Sequence, residues 1–533
     1  MREAARFRTS PRATVALFAL ALALSGLGSA SAAERALTLE EAIAFALERN
    51  EGIVVERESL VSAQAAVSGA KGAYDPVLEL DGGWRRVTEP ANSAFSGAPQ
   101  GQASPTNETA EGGLSVRQLL PTGGTVSVRA AGSRDTTDGA FTLLSPAYST
   151  QVGVELRQPL LRDRAIDSAR FALRVTGSDR EGAQASLRRE IAETVAAVER
   201  AYWTLVAAHR EVAVREEAVR LAQEQLSETG IRIDKGAAPR TEIAQPRAEL
   251  ERRRGELLAA READYRAGNA LKLLILGDSD AALWSERLAP ADDPELPVDP
   301  VDLEASLERA LGSRPELEVS GAVVERRRAE AAFARDAVRP ALDAVISYDR
   351  FGLAGSRNRA GSALPGLPTA IPDGMEGDWG RSFDMLGEDR FDDLRAGVVF
   401  GIPIGNRAAR AGAVMARSAE RQAEADLTRA RKAVRAEVLD AAATLETVGQ
   451  RIEAARAARE AAEVQLSSER ERYAIGLSTN FLVLTRQNDL SRARLDEIAA
   501  LTDYRRARTE MSRATGRLLE ERRIEVDPGE EAL

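Results

Sequence analysis

Two proline-free stretches dominate the apolar pattern of the chain, Ala165–Glu228 and Arg407–Tyr473, both dense in Ala, Arg, Glu and Leu. In the first, a three-and-four spacing runs through Ile191, Val195, Val198, Tyr202, Leu205, His209, Val212, Glu216, Val219, Gln223 and Leu226. The second carries Val434, Val438, Ala441, Leu445, Val448, Ile452, Ala455, Ala462 and Leu466 at the same spacing. A seam of 3.5-residue period predicts helices that wind left-handedly against partner helices. At 1.5 Å per residue each is about 100 Å long, so a rod or tunnel is expected rather than a compact domain.

Elsewhere the period drops to two. Leu78, Leu80, Gly82 and Trp84 alternate with Glu79, Asp81 and Gly83; Leu114 and Val116 alternate with Ser115 and Arg117; Val126, Val128 and Ala130 alternate with Ser127 and Arg129. The last two runs flank Pro121-Thr122-Gly123-Gly124, a hairpin turn. With Val152, Val154 and Leu156, then Leu342, Ala344, Ile346 and Tyr348, then Ala396, Val398, Phe400 and Ile402, strands are expected over about 77–88, 110–120, 125–134, 149–158, 341–350 and 393–403. A strand of ~9–11 residues with one apolar and one charged face fits a tilted crossing of a membrane β-barrel with a wet lumen, and a soluble sandwich also alternates this way. Six strands cannot close a channel-sized barrel alone, so several chains must share one.

Shorter helices fill the remainder. Thr38 with Glu41 predicts a capping box opening a helix to about Lys71. A second starts near Thr241 and runs to about Leu276, with Pro246 either kinking it or sitting in its true first turn. Gly/Pro/Ser-rich loops are expected over about Glu89–Asn107 and Phe351–Arg390, and a linker over Gly277–Pro300. The plan then recurs. Leu303-Glu304 with Ala310-Leu311 matches Leu39-Glu40 with Ala46-Leu47, Pro403 answers Pro159, and Gln225-Leu226 with Gly236 returns as Gln465-Leu466 with Gly476. Asp264-Tyr265 followed by Gly277 returns as Asp503-Tyr504 followed by Gly516. An internal duplication follows, with a first repeat over 33–277, a segment 278–301, a second repeat over 302–518 and a tail 519–533.

Composition narrows the chemistry. With no Cys and one His in 533 residues, disulfides, thiolate metal sites and nearly all His-based catalytic sets are removed. His209 sits at a seam position and reads as a packed or partly solvated helix residue, not a ligand. No Walker loop, Ser-His-Asp set or zinc motif is present, so no enzyme and no cofactor are expected. The net charge of -11, without a basic stripe, argues against nucleic acid. The runs Arg252–Arg254 and Arg326–Arg328 read as solvated helix faces, and Trp84, Phe95, Phe141, Phe351, Trp379 and Phe391 are compatible with interfacial girdles and equally with loop packing. At the N-terminus, Arg2, Arg6, Arg8 and Arg12 precede apolar Val15–Leu24 and Ala30-Ser31-Ala32. That is the pattern of a cleaved export signal over 1–32.

In this order and duplication, Leu37-Thr38-Leu39-Glu40-Glu41-Ala42-Ile43, Gln158-Pro159-Leu160-Leu161, Gly401-Ile402-Pro403-Ile404, Tyr473-Ala474-Ile475-Gly476 with Val483-Leu484, and the run Ala499–Leu518 resemble the TolC-like outer-membrane efflux proteins. The resemblance implies a homotrimer, mostly α, with one shared β-barrel in outer-membrane lipid and a periplasmic α-helical tunnel. Its tip would dock on a periplasmic adaptor protein and an inner-membrane pump, and drugs, metals or polypeptides would pass outward without chemistry. The extra hairpin predicts four strands from the first repeat and two from the second, hence eighteen in a trimer rather than the family's usual twelve. In the family the tip is narrowed just after the two glycine reversals, here Gly236 and Gly476. A family Thr-Asp pair falls on Thr241-Glu242 and a family Tyr on Tyr473, whereas acidic family positions fall on Leu482 and Thr485. Glu242 is therefore expected to supply a negative ring, with Arg240 pairing across subunits; the plainer reading is a first-turn residue favoured by the helix dipole. A pore-less coiled-coil tether or adhesin of the cell envelope is the alternative of another class.

Overall fold

The computed structural model describes residues 34–90, 97–99, 102, 104–237, 239–277, 280–298, 300–360, 370–388 and 390–526. The expected export signal, Phe95 and the tail beyond Val526 lie outside these residues. In chain order the elements are β1 (Glu34–Leu37), α1 (Leu39–Arg49), α2 (Glu51–Lys71), β2 (Val77–Thr88), β3 (Thr106–Leu119), β4 (Thr125–Thr137), β5 (Leu144–Pro159), α3 (Ser168–Asp234) and α4 (Ala244–Ile275). There follow α5 (Ala281–Ser285), β6 (Arg287–Pro290), α6 (Leu303–Ser313), α7 (Pro315–Asp336), β7 (Ala341–Arg357), α8 (Trp379–Met385), β8 (Asp392–Gly401), α9 (Arg407–Ala474), α10 (Asn480–Ala514) and α11 (Leu518–Glu521). Two compact units result: 1–64, 180–323 and 424–533 form one, 65–179 and 324–423 the other.

The first unit is helical. Its core gathers Leu37, Ile43, Ile53, Ile191, Val195, Val198, Tyr202, Leu205, Leu271 and Ile275, and a second cluster joins Val434, Val438, Leu445, Val448 and Ile452 to Leu501, Tyr504 and Met511. The seam of α9 is thus buried where the spacing put it. In α3 it slips: beyond Val212 the buried positions are Ala218, Ala222, Gln225 and Thr229, one residue ahead of Val219, Gln223 and Leu226. From Val212 to Ala218 the packing line advances six residues where the regular spacing takes seven, and this leaves Glu216 outside the seam, bonded to Arg261 at 2.8 Å.

Thr38 and Glu41 form the expected capping box, but the helix they open breaks at Asn50. The Asn50 side chain accepts from the Gly52 and Ile53 N–H groups, at 3.0 and 3.3 Å, and caps α2 anew. Pro246 sits in the first turn of α4, where a missing N–H costs nothing. The expected linker contains structure: β6 pairs in parallel with β1, Leu37 opposite Pro290. Tyr202 ties the join, its hydroxyl 2.5 Å from Asp292 and 3.0 Å from the Leu37 carbonyl. Burial, then the bond to Asp292, raises the Tyr202 phenol well above its ordinary value.

The second unit holds one six-stranded sheet in the order β2-β3-β4-β5-β7-β8, antiparallel throughout. Four of its strands, β2–β5, precede α3 in the chain, and two, β7 and β8, follow α7. β3, β5 and β7 outrun their expected limits because ladder bonding continues past the end of the apolar alternation, as between Asn107 and Thr137 or Leu144 and Arg357. The expected loop Phe351–Arg390 therefore starts later and contains α8. The register sorts the two faces. Leu78, Val116, Val128, Val154, Tyr348 and Leu394 lie side by side across all six strands on one face. The adjoining row on the other face reads Glu79, Ser115, Arg129, Gly153, Asp349 and Asp393, with Arg129 bound to Asp349 at 2.8 Å. Phe351 is on this polar face, opposite Gln151, so it does not belong to an apolar girdle.

Candidate functional site at the helix reversals

Both reversals belong to the helical unit and share one construction. At the end of α3, Gly236 takes φ 71°, its N–H reaches the Ile233 carbonyl at 2.9 Å and the Ala237 N–H reaches that of Arg232 at 2.8 Å. At the end of α9, Gly476 takes φ 80°, with Gly476 N–H on Tyr473 and Leu477 N–H on Arg472 at 3.1 and 2.9 Å. This bond pair satisfies the last carbonyls of a helix and needs a left-handed residue, which is why glycine recurs.

After Gly236, Arg240–Ile243 make a single 3-10 turn. The Glu242 N–H is bonded to the Pro239 carbonyl at 3.1 Å, and Thr241 accepts from Ala244. Arg240, Thr241 and Glu242 are exposed, and neither charge forms an ion pair within the described residues of the chain. After Gly476, Thr479 caps α10 and the Thr485 hydroxyl donates to the Phe481 carbonyl at 2.9 Å. Tyr473 faces α3: Arg232 stacks over its ring at 4.8 Å. The structure therefore joins Tyr473 to α3, while the bonds of Thr241, Glu242 and Thr485 just given stay within their own turns.

A polar cluster links α4 to α10. Arg253 on α4 is 2% exposed, although its run read as a solvated face. It bonds Glu249 at 2.7 Å and Asn488 of α10 at 2.7 Å, while Arg252 reaches Asn488 at 2.9 Å. Burial pushes the Glu249 carboxyl up, but the hydrogen bonds from Arg252 and Arg253 outweigh it and hold it below the usual range. Around the same helices, Gln225, Asn480, Gln487 and Ser491 each bury a polar atom that has no hydrogen-bond partner among the described residues. The Arg326–Arg328 run on α7 stays at least partly exposed, so an arginine run by itself does not mark the buried member; contact with Asn488 does.

The single histidine, His209, lies 3.5 Å from Asp264, which Arg287 holds at 2.5 Å. Among the described residues no group of His, Cys, Asp and Glu could hold a metal ion, and no helix is long and apolar enough to cross a membrane.

Residues 125–277 and 306–517, more than half of the chain, match the profile of the outer membrane efflux protein family. No curated protein sequence matches the chain. Among solved structures, the chain is similar to the CmeC outer membrane channel of Campylobacter jejuni, at 15% identity and TM-score 0.58 over 90% of this chain and 86% of that one. It is similar to the outer membrane protein VceC of Vibrio cholerae, at 16% and 0.59 over 90% and 96%. It also resembles the open state of the MtrE outer membrane channel of Neisseria gonorrhoeae, at 17% and 0.56 over 90% and 89%. At such identities these likenesses establish the fold, and the profile match establishes the kinship: the chain belongs to the outer membrane efflux protein family.

Proposed function

We propose that the chain is the outer-membrane channel of a tripartite efflux or type I secretion apparatus, a passive conduit fed by an inner-membrane pump and a periplasmic adaptor. The sheet carries this reading. It has an apolar face, a charged face and two edges, β2 and β8, each paired on one side only among the described residues. An open sheet with such edges is an association template. An even strand number lets β8 of one copy meet β2 of the next in antiparallel sense, so identical copies can close a ring with charge inside and apolar side chains toward lipid. Three copies of six strands make eighteen, and a barrel about 1.5 times as wide as the family's twelve-stranded one, since diameter grows roughly linearly with strand number.

The helical unit supplies the periplasmic tunnel, and the reversals at Gly236 and Gly476 form the tip that meets the adaptor. Residues 1–32 serve as export signal, and 33–277 and 302–518 are the two repeats, joined by 278–301 and followed by the tail 519–533. At the tip, Glu242 is exposed, and three such carboxylates around one axis favour cations; Arg240 pairs with it between subunits, with Thr241, Tyr473 and Thr485 lining the same entrance.

Planar-bilayer recording tests this reading. The purified full-length protein is expected to give discrete conducting steps, with Glu242→Gln lowering cation over anion preference. Absence of any conductance overturns the channel in favour of a tether; conductance with unchanged selectivity removes the role of Glu242 alone.

A further inference from the structure

The segment between β7 and β8 does not hang free of the sheet. α8 lies flat against β5 and β7, with Ser382 and Met385 0% and 1% exposed. Its seat is a shallow notch made by missing side chains. A Cβ on Gly352 would lie 1.9 Å from the Ser382 carbonyl oxygen, and one on Gly132 would lie 2.8 Å from the Trp379 ring. Thr150, between these two in the register, donates its hydroxyl to the Ser382 carbonyl at 2.9 Å. Tyr148 packs on Trp379 with ring centroids 5.2 Å apart.

Gly132, Tyr148, Thr150 and Gly352 belong to the face that carries the uninterrupted apolar row, not the face of Glu79, Arg129 and Asp349. On β7 that face runs from Leu342 at one end of the strand to Gly352 under α8. Ten residues at ~3.4 Å, tilted by about 40°, climb roughly 26 Å, which is the height of the lipid-facing belt of a membrane barrel. The first charges on the face, Arg350 opposite Asp392, come just before α8. Outward from the sheet, α8 presents Phe383, 54% exposed, and the free edge of Trp379. Its own cation is occupied, Arg381 bonding the Gly374 carbonyl at 2.6 Å and Glu388 at 2.5 Å.

We infer that α8 is an interfacial helix on the outside of the barrel, docked at the margin of its apolar belt, with Trp379 and Phe383 inserted at the boundary between lipid acyl chains and head groups. The inference rests on the barrel reading above, because the apolar face is the lipid face only if the sheet is in a membrane. Aromatic rings with one apolar and one wet side favour that boundary, and a short helix whose one arginine is internally paired, with Asp384 exposed on its wet side, can lie there at little cost. The partner is thus a lipid surface, held by a device separate from the strands themselves.

Because the chain has no cysteine, single spin labels report unambiguously. Phe383→Cys, Leu80→Cys (74% exposed, apolar face) and Glu79→Cys on the opposite face are labelled with a nitroxide. The full-length protein is reconstituted in phosphatidylcholine vesicles and probed with oxygen and a water-soluble nickel chelate. The expected result is oxygen accessibility several-fold above nickel at 383 and 80, and the reverse at 79. Nickel-accessible 383 beside oxygen-accessible 80 overturns the interfacial helix and leaves the barrel standing. A label at 383 shielded from both reagents overturns it too, since protein then covers the site. Nickel accessibility at 80 removes the barrel reading, and the lipid contact with it.

Discussion

Val154 offers the sharpest energetic contrast between a sheet in water and a sheet in lipid. It lies in the middle of the apolar row and is 46% exposed in the isolated chain. If that exposure were to water, Val154→Lys would forfeit roughly half of the ~1.5–3 kcal/mol of a buried valine, about 1 kcal/mol, with the lysine stem recovering part of it. If the face meets lipid, the same change costs about 2–4 kcal/mol per copy near the bilayer midplane, three times over in a trimer. Ser127→Lys on the opposite face, opposite Arg117 and Glu155, is expected to stay within about 0.5 kcal/mol in either case. Urea titration of the reconstituted protein in short-chain phosphatidylcholine vesicles, followed by tryptophan fluorescence, measures both. Equal small effects of Val154→Lys and Ser127→Lys would refute the assignment of the faces.

Three further outcomes follow from the helical unit. Arg253→Ala removes the buried partner of Glu249 while Arg252 remains bonded to it, so a loss of about 3 kcal/mol is expected, at the low end for breaking a buried ion pair; the double variant Arg253→Met with Glu249→Leu should melt higher than Arg253→Ala in circular dichroism scans. Glu249, Glu316 and Glu510 are all held below the ordinary carboxylate value: burial opposes this, and bonds from Arg252 and Arg253, Arg314, and Arg513 respectively outweigh it. A lowered folded-state pKa contributes stability that is complete above the unfolded value, about 4.3, and is lost as pH falls below it, so melting temperature should be flat near neutrality and drop below about pH 4.3. Gly236 and Gly476 have nothing within 4 Å of an added Cβ, whereas Gly516, φ 73°, would place one 2.6 Å from the Ser313 hydroxyl; Gly236→Ala should cost about 1–2 kcal/mol from backbone alone, and Gly516→Ala measurably more in the same scans.

What was legible in the sequence was whatever repeats with a fixed period. The α9 seam from Val434 to Leu466, the Thr38–Glu41 capping box and the alternation in six strands each rest on local geometry that the residues alone dictate. The α3 seam failed beyond Val212 because Ala218 and Ala222 are small and Gln225 is polar, so Val219 and Leu226 outweighed them in an apolar count although they lie to the side of the packing line. β1 and β6 were missed since four-residue strands joined in parallel across 250 residues leave no local signature. At the site, Gly236 and Gly476 were readable because left-handed termini select glycine, while Arg253 was not, its burial depending on Asn488 far along the chain. The notch under α8 was hidden for a different reason. Gly132 and Gly352 look like strand weaknesses until the helix that needs their empty space is placed over them.

The central claim is that three chains pool their strands into one lipid-embedded cylinder. Electron cryomicroscopy of the full-length protein in nanodiscs decides it by counting. The account predicts a single barrel of eighteen strands with β8 of each copy bonded to β2 of its neighbour. A particle whose sheets stay separate, or a monomer whose apolar row of Leu78, Val116, Val128, Val154, Tyr348 and Leu394 meets no lipid, would contradict it.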